Sequence, residues 1–394
     1  MQSNLLIDIG SIFSNLWDSM GISQGEWQNY VMLLISLVLM FLAIVKKYEP
    51  MLLLPIAFGM FLINLPGAES VLWGTYTDEA HTYDLVTDRG LLWYLYYGVD
   101  KVIYPPLIFL GIGAMTDFGP LIANPKSMLI GAGAQLGVFI ALFGAVLLGF
   151  EGAAAAATAI IGGADGPTAI YVTKMLAEDL LPMIAIAAYS YMALIPAIQK
   201  PIMRLFTTKK ERAIRMKPLR QVSKVEKIIF PIAVTLIVGL LLPDAVPLLG
   251  MLMLGNLFRE SGVVERLSSQ AQNGLMNTVT IFLGIAVGCK AKGDIFLTWD
   301  TIKIIGIGVV AFYCGTIGGL LTAKVMCKVT KGQINPLIGS AGVSAVPMAA
   351  RISEDVGRET DPSNHLLMHA MGPNVAGVIG SALAAGILLS IPWI

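Results

Sequence analysis

The sequence predicts an all-α polytopic membrane protein with about ten to twelve transmembrane segments, an internal repeat and broken helices. Three observations predict it. Of the 394 residues, 56% are hydrophobic and only 13% charged, whereas a soluble domain carries about a quarter charged. Mean hydropathy is +0.75, and stretches of about 20 apolar residues, enough to cross a hydrocarbon core, recur along the whole length. The 41 glycines and 20 prolines suit membrane helices that pack closely or break.

In chain order, SIFSNLWDSMGISQGEW near the N-terminus is too polar for a signal-peptide core and suits an interfacial amphipathic helix. Apolar runs follow near 30–46, 50–65, 103–115, 127–149, 154–173, 180–198, 228–242, 245–258, 276–289, 302–326, 335–349 and 366–392. Between them, 66–100 is polar, with Asp78, Glu79, Asp84 and Asp88, and ends in the aromatic cluster LLWYLYY. It reads as an external loop meeting an aromatic belt.

Net charge is zero and the pI is near 6.8, so nothing points to nucleic acid. The distribution of charge is more telling. Lys200 to Lys227 holds ten Lys/Arg against Glu211 and Glu226, and such an excess in a short loop marks the cytoplasmic side. A lipid-headgroup patch or a docking surface would lie on the same side. Cys289, Cys314 and Cys327 have no paired spacing and read as free buried thiols.

The chain repeats itself at a nearly constant offset. IFLGIG at Ile108 returns as IFLGIA at Ile281, IGAG at Ile130 as IGIG at Ile305, and IGGA at Ile161 as IGSA at Ile338. Lys174 falls on Arg351, and Glu178-Asp179 on Glu354-Asp355. The organisation expected is 1–49 as an interfacial helix and first membrane helix, 50–206 as a first transmembrane repeat, 207–227 as a basic linker and 228–394 as a second repeat. Duplicated halves are the usual plan of secondary transporters, with the site where the halves meet. The repeats are inverted if each half holds an odd number of crossings.

Three segments carry chemistry. IIGGADGPTAIYVTK, Ile160 to Lys174, places Asp165 among Gly162, Gly163, Gly166 and Pro167. Glycine and proline oppose a continuous helix, and non-helical backbone at bilayer depth survives only when buried in protein or lining a cavity. Freed carbonyls beside a carboxylate suit a hard cation, and an intramembrane carboxylate is functional by default. Asp165 could also cap the helix that follows, and the two roles can coexist. INPLIGSAGVSAVPMAAR, Ile334 to Arg351, repeats the broken-helix logic with Asn335, Gly339, Ser340, Gly342 and Ser344 but no carboxylate. Its neutral oxygens suit a weakly held alkali cation, while Ser340 and Gly342 also fit close helix packing. HAMGPNVAGVIGSA, His369 to Ala382, sets Asn374 after a Gly-Pro break, near Tyr191 in the repeat. Tyr191 offers a hydroxyl or sits in an interfacial belt. Lys174 and Arg351 either snorkel to the interface or, for Arg351, clamp an anionic group. His365 and His369 have a helical spacing but no third ligand near. No phosphate-binding loop and no Ser-His-Asp order is present.

At these residues the chain closely resembles the membrane-embedded beta subunit of the sodium-pumping biotin-dependent decarboxylases, which act on oxaloacetate, glutaconyl-CoA or methylmalonyl-CoA. The matching stretches are YPPLIFLGIGAMTDFGP, GGADGPTAIY, GNLFRESGVVERLS, NPLIGSAGVSAVPMAAR and HAMGPNVAGVIGSA. They reach from about residue 40 to the end. The resemblance implies an inverted-repeat fold with a scaffold and a mobile core. It implies decarboxylation of carboxybiotin, borne on a biotin-carrying carboxyltransferase alpha subunit, coupled to Na+ export with a proton consumed. A small single-span gamma or delta subunit, a homo-oligomer and the bacterial cytoplasmic membrane are implied as well. The family's Na+ set falls on Asp165, Tyr191, Asn335, Gly339, Ser344 and Asn374. Arg351 and Ser344 fall at the carboxybiotin position, and Asp165, Tyr191 and Arg351 at the reacting groups. Without the resemblance, the same residues equally allow a sodium-coupled carboxylate symporter or an Na+/H+ antiporter.

Overall fold

The computed structural model describes residues 9–76 and 86–393, so Asp78, Glu79 and Asp84 lie outside the described residues. The described chain is helical apart from a two-residue antiparallel ribbon, Thr75–Tyr76 with Val86–Thr87. It is an all-α polytopic membrane protein. Among the described residues, Trp27–Ile44, Pro125–Leu147, Trp299–Val329 and Leu367–Ser390 are each long and apolar enough to cross a bilayer unaided. Other apolar runs are shorter or interrupted helices. Glycine and proline divide the run near 154–173 into the helix Gly152–Ala159, a 3-10 turn Ile160–Gly163 and the helix Gly166–Leu176. The run near 335–349 is a 3-10 turn, Pro336–Gly342, before the helix Met348–Thr360.

The chain divides into two compact units. The first comprises the residues up to Lys101 together with Ile281–Thr298. Its N-terminal helix, Ile9–Ser19, leaves Phe13, Leu16 and Trp17 exposed, as an interfacial helix would. Trp27–Ile44 packs on Pro50–Ile63. Buried Asn64 donates to Ala291 O at 2.8 Å and accepts from Gly293 N at 3.1 Å. Lys292 meets Glu69 at 2.7 Å. The aromatic cluster forms the helix Leu91–Asp100, where Tyr96 packs edge-on to Trp73 with ring centroids 5.3 Å apart.

The second unit comprises Val102–Thr280 and the chain from Trp299 onward. At its centre the long helix Trp299–Val329 packs against Met128–Ala134, Leu136–Leu147, Leu181–Phe206 and the turn Pro336–Gly342. The segments Glu178–Met192 and Leu194–Phe206 meet at 58°. Phe139, Phe143 and Leu147 are 64%, 64% and 68% exposed, a face that water would penalise and lipid would not. Glycine sets the closest crossings. A Cβ at Gly162 would stand 2.2 Å from Gly137 O, and one at Gly339 2.4 Å from Gly319 O. No side chain fits at either place. The thiols of Cys289, Cys314 and Cys327 are free.

Within the second unit, the basic linker and the end of the helix before it are docked at several points. Asn335 donates to Arg212 O at 3.0 Å and Ile214 O at 2.8 Å. Asn364 donates to the same two oxygens, at 2.9 and 3.2 Å. Arg204 pairs with Glu359, and Arg215 with Asp361, both at 2.7 Å. The Arg215 guanidinium, helped by Ser363, holds the Asp361 carboxyl down at about 2. A depressed carboxyl stabilises the folded state above its unfolded value, near 4, and that contribution fades as pH falls through the folded value.

Two predictions follow from these contacts. Gly162→Val should destabilise the protein by about 1–3 kcal/mol, the usual cost of overpacking, seen as a lower thermal midpoint in detergent. An unchanged midpoint would mean that the crossing tolerates a side chain. Asp361→Asn should shorten the tryptic half-life at Arg212 and Arg215 at neutral pH, where the ion pair is intact in the parent. Parental docking should weaken only between about pH 4 and pH 2, read as faster amide exchange over 212–220. Equal tryptic half-lives would remove the Arg215–Asp361 pair from linker docking.

Candidate functional site

The first break is built by Ala164 in the left-handed region, at φ 55°, between the turn Ile160–Gly163 and the helix that starts at Gly166. Asp165 is extended and caps that helix, accepting from Thr168 N at 3.2 Å. The capping role foreseen for it is therefore present. Asp165 is only 5% exposed, and among the described residues no cation pairs with it. Gly166 lies against the ring of Tyr189, where a Cβ would come within 2.2 Å.

The second break runs from Asn335, which caps the turn Pro336–Gly342 by accepting from Leu337 N at 3.0 Å, to the helix Met348–Thr360. Ser340 bonds within this segment and to Ser353, and Gln199 donates to Ser340 O at 2.9 Å. Downstream, the Ser344 hydroxyl lies 2.9 Å from Gly163 O and 3.1 Å from Ala164 O, beside the Asp165 carboxylate. Its single proton serves one acceptor at a time. The last helix, Leu367–Ser390, joins both breaks. Asn374 donates to Ala341 O at 3.0 Å and Val343 O at 2.8 Å, and Ser381 reaches Gly163 O at 3.3 Å. Asn374 Oδ1 is buried with no hydrogen-bond partner among the described residues.

The structure thus gathers Asp165, Ser344, Asn374 and the carbonyls of 163–164 into one layer. A carboxylate, a hydroxyl, a carboxamide oxygen and carbonyls outside any α-helix make an all-oxygen set suited to a hard cation. Other expected residues make their contacts elsewhere. The polar atoms of Asn335 are engaged by Leu337, Arg212 and Ile214, none of which belongs to the first break. The Tyr191 hydroxyl donates to Ile305 O, and its ring packs on Gly308. Gly339 rests on Gly319 of the long helix. Arg351 is exposed and has no ion-pair partner among the described residues. His365 lies 3.2 Å from Glu354, whose other oxygen accepts from Leu367 N at 2.9 Å.

Sequence reasoning missed Gln135, Tyr189, Asn364 and Ser381. Gln135 left a signal, as a lone carboxamide within the apolar run 127–149. Ser381 and Tyr189 left none, because small and aromatic residues are ordinary in membrane helices.

The family model for the Na+-transporting oxaloacetate decarboxylase beta subunit matches residues 28–392. The chain is 57% identical to the glutaconyl-CoA decarboxylase subunit beta of Acidaminococcus fermentans over 364 residues, covering 92% of this chain and 93% of the relative. It is 56% identical to the methylmalonyl-CoA decarboxylase subunit beta of Propionigenium modestum over 384 residues, covering 94% and 96%. With oxaloacetate decarboxylase beta chain 2 of Salmonella typhi the identity is 51% over 421 residues, covering 95% and 97%. An oxygen-lined break in a membrane-spanning chain and an almost full-length family match lead to one statement: the chain belongs to the family of beta subunits of Na+-transporting decarboxylases.

Proposed function

We propose that this subunit decarboxylates carboxybiotin delivered by a biotin-carrying carboxyltransferase alpha subunit and uses the reaction to export Na+ across the bacterial cytoplasmic membrane. A small single-span gamma or delta subunit and further copies of this chain complete the assembly. The observation that carries the reading is Asp165, a buried carboxylate with no cationic partner among the described residues. A buried charge is paired or coordinates a metal ion. Na+ is the cargo that would satisfy it, held by Asp165, the Ser344 hydroxyl, Asn374 Oδ1 and the carbonyls at the first break. The family resemblance extends the set to Asn335, Gly339 and Tyr191, whose polar atoms are engaged elsewhere in this conformation and would have to turn toward the ion as the breaks move. Tyr191 either relays a proton or ligates a second Na+.

In the decarboxylation, the bond between the ring nitrogen and the carboxyl carbon breaks, CO2 leaves, and the nitrogen takes a proton. Arg351, with Ser344, would orient the carboxyl group, because a guanidinium fork suits a carboxylate. Na+ and a proton then compete for the one carboxylate at Asp165. The two breaks are the natural moving parts of a mobile core set in a scaffold, as in inverted-repeat transporters. The relatives are named for three different acids, which supports assigning the choice of acid to another subunit. A symporter or antiporter without a biotin partner is not favoured by the family match.

Asp165→Asn should lower both 22Na+ uptake into reconstituted vesicles and Na+-dependent decarboxylation by at least about 100-fold, the scale lost with a positioned acid–base group. Decarboxylation at the parental rate with the parental Na+ dependence would sink the coupling. Arg351→Ala should raise the KM for carboxybiotin about tenfold or more and leave the half-saturating Na+ concentration nearly unchanged. The reverse pattern would refute its assignment. Avidin capture of a detergent extract should retain this chain together with a biotinylated protein.

A further inference from the structure

Gln135 lies where the helix Met128–Ala134 gives way to the helix Leu136–Leu147, between the contacts these two helices make with the two breaks. On one side, a Cβ at Gly342 of the second break would stand 3.0 Å from Ala134 Cβ. On the other, one at Gly162 of the first break would stand 2.2 Å from Gly137 O. The Gln135 side chain crosses to the last helix, where Nε2 donates to Gly377 O at 3.2 Å. Gly377 is one turn after Asn374, which holds the second break, and one turn before Ser381, which reaches the first. The last helix is cleared to receive it, since a Cβ at Gly380 would stand 2.8 Å from Gln135 Nε2 and 3.1 Å from its Cγ.

With the nitrogen fixed on Gly377 O, the carboxamide orientation is fixed too, because a flip would set two acceptors against each other. Oε1 is then buried with no partner among the described residues, and Gln135 is only 8% exposed. Asn374 repeats the pattern, with its nitrogen on backbone carbonyls and its oxygen bare. Buried acceptors are rarely left without a partner, and these two carboxamides, one on the last helix and one bonded to it a turn away at Gly377, adjoin the layer that holds the buried Asp165 carboxylate.

We propose that Gln135 is a further Na+-binding residue, whose carboxamide oxygen completes the shell begun by Asp165, Ser344 and Asn374 and tunes the choice among alkali cations. The proposal rests on the reading of that layer as the Na+ site. Shortening the side chain withdraws the oxygen while keeping a carboxamide. Gln135→Asn should therefore raise the half-saturating Na+ concentration for decarboxylation about tenfold, with kcat within about twofold, and shift the Li+/Na+ activity ratio. Gln135→Leu should do the same more strongly. Asp165→Asn is measured in parallel on the whole complex. If Asp165→Asn leaves Na+-dependent activity intact, the reading of the layer fails. If Asp165→Asn abolishes activity while Gln135→Asn leaves both the Na+ half-saturation and the Li+/Na+ ratio unchanged, the Gln135 inference alone is overturned. A fall in kcat with both of those unchanged would likewise reduce Gln135 to a packing role. Should Gln135→Leu fail to fold, the Asn variant decides.

Discussion

A helix broken at bilayer depth must have its freed backbone groups met by protein, because lipid offers no hydrogen bonds. The rest of the second unit depends on how this constraint is met. At the first break the Gly163 carbonyl lies within reach of hydroxyls from Ser344 and Ser381, which belong to different parts of the later chain. At the second break the carbonyls of Ala341 and Val343 are held by Asn374 of the last helix. Each break is thus completed by residues about 180 or more positions away, or by the helix that closes the chain. Neither could persist in an isolated segment. The polar groups that make the breaks tolerable are also those proposed to hold the cation.

Close approach is the second half of the same solution. Gly162 on Gly137, and Gly339 on Gly319, bring backbone onto backbone. Carbonyls can reach across only at that distance, and small residues are how membrane helices achieve it. A crossing made of backbone also lacks the side-chain ridges that lock most helix pairs. That suits segments proposed to shift during transport.

Much of this was legible in the sequence because the bilayer restricts what polar residues can do. Asp165 stood out as a carboxylate in an apolar run, and the glycines and proline around it announced the break. Asn374 and Ser344 were found through the repeat and the resemblance, and the structure sets Ser344 against the first break and Asn374 against the second. Asn335 was a harder case. Its type suggested an oxygen ligand, but its oxygen caps Leu337 and its nitrogen holds the linker. A carboxamide presents both a donor and an acceptor, and only the fold decides which end meets which partner. Tyr191 and Tyr189 lie two residues apart, and composition cannot say which ring meets Gly166. The answer is Tyr189, while the Tyr191 hydroxyl meets the long helix at Ile305. The docking of the linker was invisible, because Asn364 matters through two carbonyls some 150 residues away.

The asymmetry of the two breaks has a physical consequence for a pump. The first contributes the one carboxylate, and the second contributes only neutral oxygens and backbone. A site with a single negative charge is neutral when it holds either Na+ or a proton, so each loaded form is tolerable at bilayer depth, whereas the empty ionised form is costly there. A second carboxylate would leave a residual charge after one Na+ had bound. The second break is instead tied to the linker through Asn335, with Asn364 holding the same two carbonyls from beyond the helix that carries Arg351. On the proposed function, a change at Arg351 therefore has a short covalent and hydrogen-bonded route to Ser344. Ser344 lies seven residues before Arg351 on the same strand of chain and touches the carbonyls beside Asp165. On the proposed function, charge sits on one break and leverage on the other, and the ion would be held where the two meet.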